Sequence, residues 1–158
     1  MTEKLKQIIE KLRYELSKDP SLVIAGKINN SICKKDKELP VKPYCDFLDV
    51  CDGARCGIID LWNSENIKKN QYRVTDIIGG SEKWVCIGQI LYEPLVFNLK
   101  DEKIYLFYQG YENEVKGRCF GNFDDFLLNY VFGKQYKELI PDIVNDEWYM
   151  FLTDIDLI

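Results

Sequence analysis

The stretch Leu39–Trp62, LPVKPYCDFLDVCDGARCGIIDLW, constrains this chain most, because a helix period gives way there to a strand composition. Tyr44, Phe47, Leu48 and Cys51 fall at i, i+3, i+4 and i+7 and so share one face of a helix. Pro43 suits the first helical turn, where a missing N–H costs nothing. Asp46 and Asp49 fall off the apolar face. Gly53, after Asp52, can take the left-handed conformation that ends helices. Gly57 to Trp62 then reads as a strand, since β-branched and aromatic residues suit a half-buried sheet. A helix and a strand this close, each with one apolar face, must bury those faces together.

The rest of the chain extends the same pattern. Residues 3–17 form an amphipathic helix, with Leu5, Ile8, Ile9, Leu12 and Leu16 on one side. Asp19-Pro20-Ser21 ends it, Leu22 to Ala25 is a short apolar strand or loop, and Lys27 to Glu38 is an exposed connection. Asn63 to Asn70 leaves room for one helical turn, Tyr72 to Ile78 for a brief pairing, and Gly79-Gly80-Ser81 for a turn. Trp84 to Leu91 is a strong strand. Pro94 marks Leu95–Phe97 as a separate or edge strand, and Lys103 to Tyr108 completes a hairpin. In that last strand Ile104, Leu106 and Tyr108 point one way, Tyr105 and Phe107 the other. Asn122 caps a final clear helix with Phe123, Phe126, Leu127 and Tyr130 on one face, which Gly133 stops. The expected architecture is α+β: one domain over residues 1–158, a mixed, largely antiparallel sheet, and helices packed mainly on one face. Residues 142–158 form an acidic and aromatic end, with five acidic side chains and no basic one.

Composition removes several classes of function. The chain has no histidine, so Ser-His-Asp and Cys-His sites, HExxH zinc sites and histidine bases are impossible within it. Its six cysteines, Cys33, Cys45, Cys51, Cys56, Cys86 and Cys119, contain no CxxC pair. No metal, no cofactor and six free, mostly buried thiols are therefore expected. A domain of this length buries roughly 70% of the surface its unfolded chain exposes, so it needs no disulfide or metal staple. No apolar run is long enough for a membrane span, and the charged N-terminus lacks the apolar region of a signal peptide; the expected location is cytoplasmic.

The net charge of −5 is unevenly spread. Residues 1–43 hold ten Lys/Arg against six Asp/Glu, whereas residues 44–158 hold eleven against twenty. An acidic body disfavours nucleic acid, whose phosphates need cations, and complements a basic protein. The candidate partner-binding residues are the acids and aromatics at expected turns and edges: Tyr92, Glu93, Tyr108, Tyr111, Glu112 and Glu114. Asp142, Asp146, Glu147, Trp148 and Tyr149 form a second patch. Against these stands the plain alternative that the acids are a solvated face, that Tyr108 belongs to the core and that Trp148 packs a terminal helix on the sheet. An enzyme would have to pair Asp124 with Asp125 or Asp46 with Asp49, or use Cys45 or Cys56 as a nucleophile. Adjacent acids on a helix diverge, and a thiol without histidine needs another source of activation.

Leu39-Pro40, Tyr44, Phe47, Leu48, Asp52-Gly53 and the Ile58–Trp62 strand are followed by Trp84, Ile87-Gly88, the hairpin ending at Tyr108 and the Phe123–Tyr130 helix. As an ordered set covering about Leu39 to Tyr130, they resemble the SUKH (Smi/Knr-like) superfamily. The extra Pro43 and the charged segment before Leu39 depart from that pattern. The resemblance implies an α+β domain with a binding role and no catalytic residues. In bacterial members that role is immunity, the neutralisation of a polymorphic toxin such as a nuclease or deaminase. In fungal members it is regulation of cell-wall synthesis, which makes an intracellular scaffold the alternative. The expected partner is thus a basic toxin domain, with no nucleic acid and no membrane, bound by a monomer or weak homodimer.

Overall fold

The computed structural model describes residues 1–31, 39–108, 117–141 and 143–158. The first helix, α1 (Glu3–Ser17), starts where Thr2 Oγ1 accepts the Leu5 N–H, and buries Leu5, Ile9 and Leu12. A 3₁₀ turn (Pro20–Val23) leads into β1 (Gly26–Ile28), so the stretch expected as an exposed connection opens with an edge strand. Helix α2 (Lys42–Leu48) carries Pro43 in its first turn, and Gly53 takes the positive φ of 83°. Strands β2 (Ala54–Cys56) and β3 (Ile59–Leu61) form a tight hairpin; Ala54–Cys56 is too short to carry a period of its own, and its pairing makes it a strand. Next come α3 (Asn66–Lys69), a 3₁₀ turn (Gln71–Val74) where a pairing strand was expected, and α4 (Gly80–Lys83) in place of a glycine turn.

Strands β4 (Trp84–Ile90), β5 (Glu93–Asn98), β6 (Ile104–Leu106) and β7 (Arg118–Gly121) complete a seven-stranded sheet. Its strands lie in sequence order, and each neighbour is antiparallel, so the expected α+β domain is found with no parallel pair in the described sheet. Strand β5 is interior rather than at an edge. Pro94 is tolerated there because its backbone polar groups face β6 just beyond Leu106, where only its carbonyl is used, by Phe107 N (3.3 Å).

Alternation sorts the sheet into two faces. Ile59, Leu61, Val85, Ile87, Leu95, Phe97, Ile104 and Leu106 meet α1, α2 and the C-terminal helices in the main core. Trp84, Cys86 and Val96 point the other way and are covered by Val74, with Tyr105 and Phe107 beside them. A bulge between Cys86 and Gly88 shifts the parity of β4. The buried Tyr44 hydroxyl braces it, 2.6 Å from the Trp62 carbonyl oxygen and 2.9 Å from that of Ile87. Gly88 is required there, since a Cβ would lie 2.1 Å from the Asp60 carbonyl oxygen.

The Asn122-capped helix is α5 (Phe123–Phe126) for one turn and then widens into a π turn (Leu127–Val131), with Phe132 N bonded to Leu127 O. Gly133 follows it in an extended conformation (φ −130°). It is a glycine because a side chain would strike the Leu128 carbonyl oxygen, and no left-handed cap forms. A 3₁₀ segment (Lys134–Leu139) and α6 (Glu147–Asp154) close the chain. Tyr44, Phe47, Leu48, Ile59, Leu61, Ile87, Phe126 and Leu127 share the main core, with Tyr44, Phe47 and Phe123 in mutual ring contact at 5.4–5.6 Å. Cys45, Cys51, Cys56, Cys86 and Cys119 are free thiols; Cys33 lies outside the described residues.

Candidate partner-binding surface

At one end of the sheet the β2–β3 turn, Gly57-Ile58, stands beside the β4–β5 turn, Leu91-Tyr92, joined by Leu91 N donating to Ile58 O (2.8 Å). Ile58 N donates to the Tyr136 hydroxyl (3.1 Å), which itself donates to Asp146 Oδ2 (3.2 Å). Asp146 Oδ1 accepts from Tyr149 N (2.8 Å) and so caps α6. Burial, reinforced by the Asp146 carboxylate, pushes the Tyr136 phenol well up, so it stays a neutral donor. Through Ile58, two stretches that are far apart in sequence meet at the same end of the fold.

Tyr92 is 82% exposed there, Leu91 50% and Tyr108, which follows β6, 49%. Glu93 is half-buried where it opens β5, and Glu147 is exposed in the first turn of α6. Arg118 and Arg73 are both engaged. Arg118 pairs with Glu138 (2.8 Å) and lies over the rings of Phe120 and Tyr130. Arg73 donates to Gln89 Oε1 (3.0 Å) and to the Tyr92 carbonyl oxygen.

Of the residues expected at a partner surface, Tyr92 and Glu93 lie in and after the β4–β5 turn and Tyr108 follows the adjacent β6, while Asp146 and Glu147 open α6, which joins that end of the sheet through Tyr136 and Ile58. Trp148 requires correction. It is fully buried, its indole N–H donates to Val131 O (2.8 Å), its ring packs against the backbone at Gly26, and its Cβ lies against Gly57. The acidic surroundings suggested a surface aromatic, but Trp148 follows the Asp146 cap on the inward side of α6. Asp146 is largely committed to capping, and Tyr108 is no part of the core. Tyr111, Glu112, Glu114 and Asp142 lie outside the described residues. Leu91 was not singled out from the sequence because the β4 strand pattern runs through it; Arg73 and Tyr136 gave no local signal.

The catalytic candidates have other roles or poor chemistry. Cys56 is buried and its thiol is held well above its ordinary pKa by burial; Cys51 is pushed up to about 12 by burial, and Cys86 is raised for the same reason. Neutral buried thiols are weak nucleophiles. Cys45 is half-buried, its Sγ 3.7 Å from Leu39 O. Asp124 Oδ2 accepts from Thr2 N (3.0 Å), Asp125 accepts from the Asn122 amide (2.6 Å), and Asp46 pairs with Lys42 (3.3 Å). Asp49 is exposed at the end of α2. Among the described residues no group of three or more His, Cys, Asp or Glu could hold a metal, and no helix is long and apolar enough to cross a membrane. No family model matches the chain, and no significant match to a curated protein was found.

Proposed function

We propose that this is a SUKH-like cytoplasmic immunity protein that binds a basic toxin domain and blocks it by occlusion, acting as a monomer or weak homodimer. The observation that carries the reading is the sheet end. Exposed Tyr92, Leu91 and Tyr108 lie there with Glu93, and Glu147 opens α6, which reaches the β4–β5 turn through the Ile58–Tyr136–Asp146 chain. Large apolar and aromatic side chains on a fixed frame give contact area at low entropy cost, and carboxylates at the rim steer a basic partner. The acidic balance of residues 44–158 acts in the same direction. Several of the residues that carry the family resemblance also converge: Tyr44, Phe47 and Leu48 of α2, Ile59 and Leu61 of β3, Ile87 of β4 and Phe123 of α5 pack in the main core, while Trp84 lies on the other face of the sheet.

The test uses the purified product of the adjacent reading frame as partner. The protein should bind it and suppress its activity. Association should slow with added salt, because exposed charges are screened beyond ~10 Å at 0.1 M. Glu93→Lys with Glu147→Lys should slow association roughly tenfold while leaving the fold intact. An adjacent toxin that stays fully active beside excess folded protein defeats the immunity reading for that pair. Salt-independent association would remove the electrostatic part of it.

A further inference from the structure

Register pairs Ile90 with Glu93, leaving Leu91-Tyr92 as a two-residue hairpin loop. Such loops demand a positive φ at their first position, and with Leu91 positive and Tyr92 not, the form is the one in which glycine takes that position without strain. Here leucine takes it, at φ 57°. The other non-glycine residues with positive φ among those described, Glu102 and Asp156, are polar. The left-handed region brings Cβ too close to the following carbonyl oxygen, so Leu91 holds an unfavourable conformation. Burial gives it no full compensation, since it is half exposed and its neighbour Tyr92 is the most exposed of the large hydrophobic side chains described.

The turn is nonetheless held from two sides. Leu91 N donates to Ile58 O on the next hairpin (2.8 Å). The Arg73 guanidinium reaches the Tyr92 carbonyl oxygen from the segment between α3 and α4. Arg73 is itself fixed by Gln89 Oε1 (3.0 Å), and the Gln89 amide by Asp60 Oδ2 (2.8 Å). A strained apolar pair pointed at solvent persists only where the surrounding structure over-determines it.

We propose that Leu91-Tyr92 is a preorganised anchor that enters an apolar pocket on the protein partner, and that Arg73 is a positioning residue that fixes the turn through the Tyr92 carbonyl. This rests on the sheet end being the partner surface, and names the pair within it that makes the central contact. The matching pocket is apolar and bordered by cations, because Glu93 follows the anchor directly and Glu147 stands on the neighbouring helix start. Rigidity lowers the ordering entropy of binding, which is why a clamped turn suits an anchor better than a loose one.

Leu91→Gly, Leu91→Asn, Tyr92→Ala, Arg73→Gln and Glu93→Lys are compared with the parent for denaturant midpoint and for binding to the product of the adjacent reading frame. Relief of strain should raise the midpoint of Leu91→Gly, and of Leu91→Asn less so. Both variants and Tyr92→Ala should bind about tenfold or more weakly, mainly through faster dissociation. Arg73→Gln should speed amide hydrogen exchange at Tyr92 and Glu93 and hasten dissociation while leaving association unchanged. Glu93→Lys should slow association instead. If the Leu91 and Tyr92 variants bind within twofold of the parent while Glu93→Lys slows association, the surface reading survives and the anchor is wrong. A midpoint lowered in both Leu91 variants overturns the strained-anchor argument. Failure of the parent to bind that product defeats the immunity reading and the anchor together for that pair.

Discussion

Replacing Trp148 separates a core role from a binding role. The indole is fully buried, 5.4 Å from the Phe151 ring, and sits where a side chain at Gly26 would collide with it. Truncation to alanine in such a site costs about 3–5 kcal/mol. It also removes the donor to the Val131 carbonyl at the end of the π turn; a buried acceptor left without a partner adds about 1–3 kcal/mol unless water reaches it. Trp148→Phe keeps most of the bulk and should show chiefly the second effect. Glu147→Ala, one residue away and exposed, should stay within about 0.5 kcal/mol of the parent. Urea melts followed by far-UV circular dichroism avoid the change in tryptophan fluorescence. A loss below about 1 kcal/mol for Trp148→Ala would refute the buried placement and return the residue to the partner surface.

Gly57→Ala should destabilise by about 2–5 kcal/mol, because a Cβ would lie 2.0 Å from the Tyr136 hydroxyl and the backbone has φ 58°; an unchanged melting midpoint would show that the hairpin tip and Tyr136 do not pack as described. Phe47→Ala should cost about 3–5 kcal/mol, and a double-mutant cycle with Phe123→Ala should return about 0.5–1.5 kcal/mol of coupling between rings 5.6 Å apart; a loss under about 1 kcal/mol would remove α2 from the core. Of the five described thiols, exposed Cys119 should react promptly with a thiol reagent, and Cys51, Cys56 and Cys86 only on unfolding; rapid labelling of Cys56 in the native protein would contradict its burial. Folding favours the neutral Cys51 thiol, whose pKa is raised to about 12, so its contribution is intact below the unfolded value and is lost as pH rises toward 12. Stability should therefore fall by up to about 1.4 kcal/mol per pH unit for that thiol above pH ~8.5, and Cys51→Ala should flatten the slope; identical slopes with and without the thiol would refute the assignment.

The parts of the fold legible in sequence are those whose causes are local. Helix α1 has a full apolar stripe and a capping threonine, and its bounds follow from them. The alternation in β4 to β6 likewise places Ile104 and Leu106 on one face and Tyr105 on the other. Strands β1 and β2 are three residues each, too short to show a period, and exist because their backbone groups pair with neighbours. The sheet end was harder to read for a related reason. Its frame joins Ile58, Tyr136 and Asp146, and no pattern within one segment reports that they meet.

Trp148 and Tyr92 show why burial was the weak point. Each is an aromatic residue near acids, and only the inward side of α6 and the outward turn after β4 distinguish them. Leu91 differs in that, once the β4–β5 register is known, its departure is local: an apolar branched residue occupies the hairpin position where glycine belongs. Natural sequences are mostly consistent between local preference and global fold, so departures from that consistency concentrate at functional or strained sites. At Leu91 the departure coincides with exposure and with hydrogen bonds to two other segments, whereas Glu102 in the β5–β6 turn shares the positive φ but sits in a polar turn. The combination of strain, exposure and rigidity, rather than strain alone, is what marks the β4–β5 turn as a contact selected for something outside the fold.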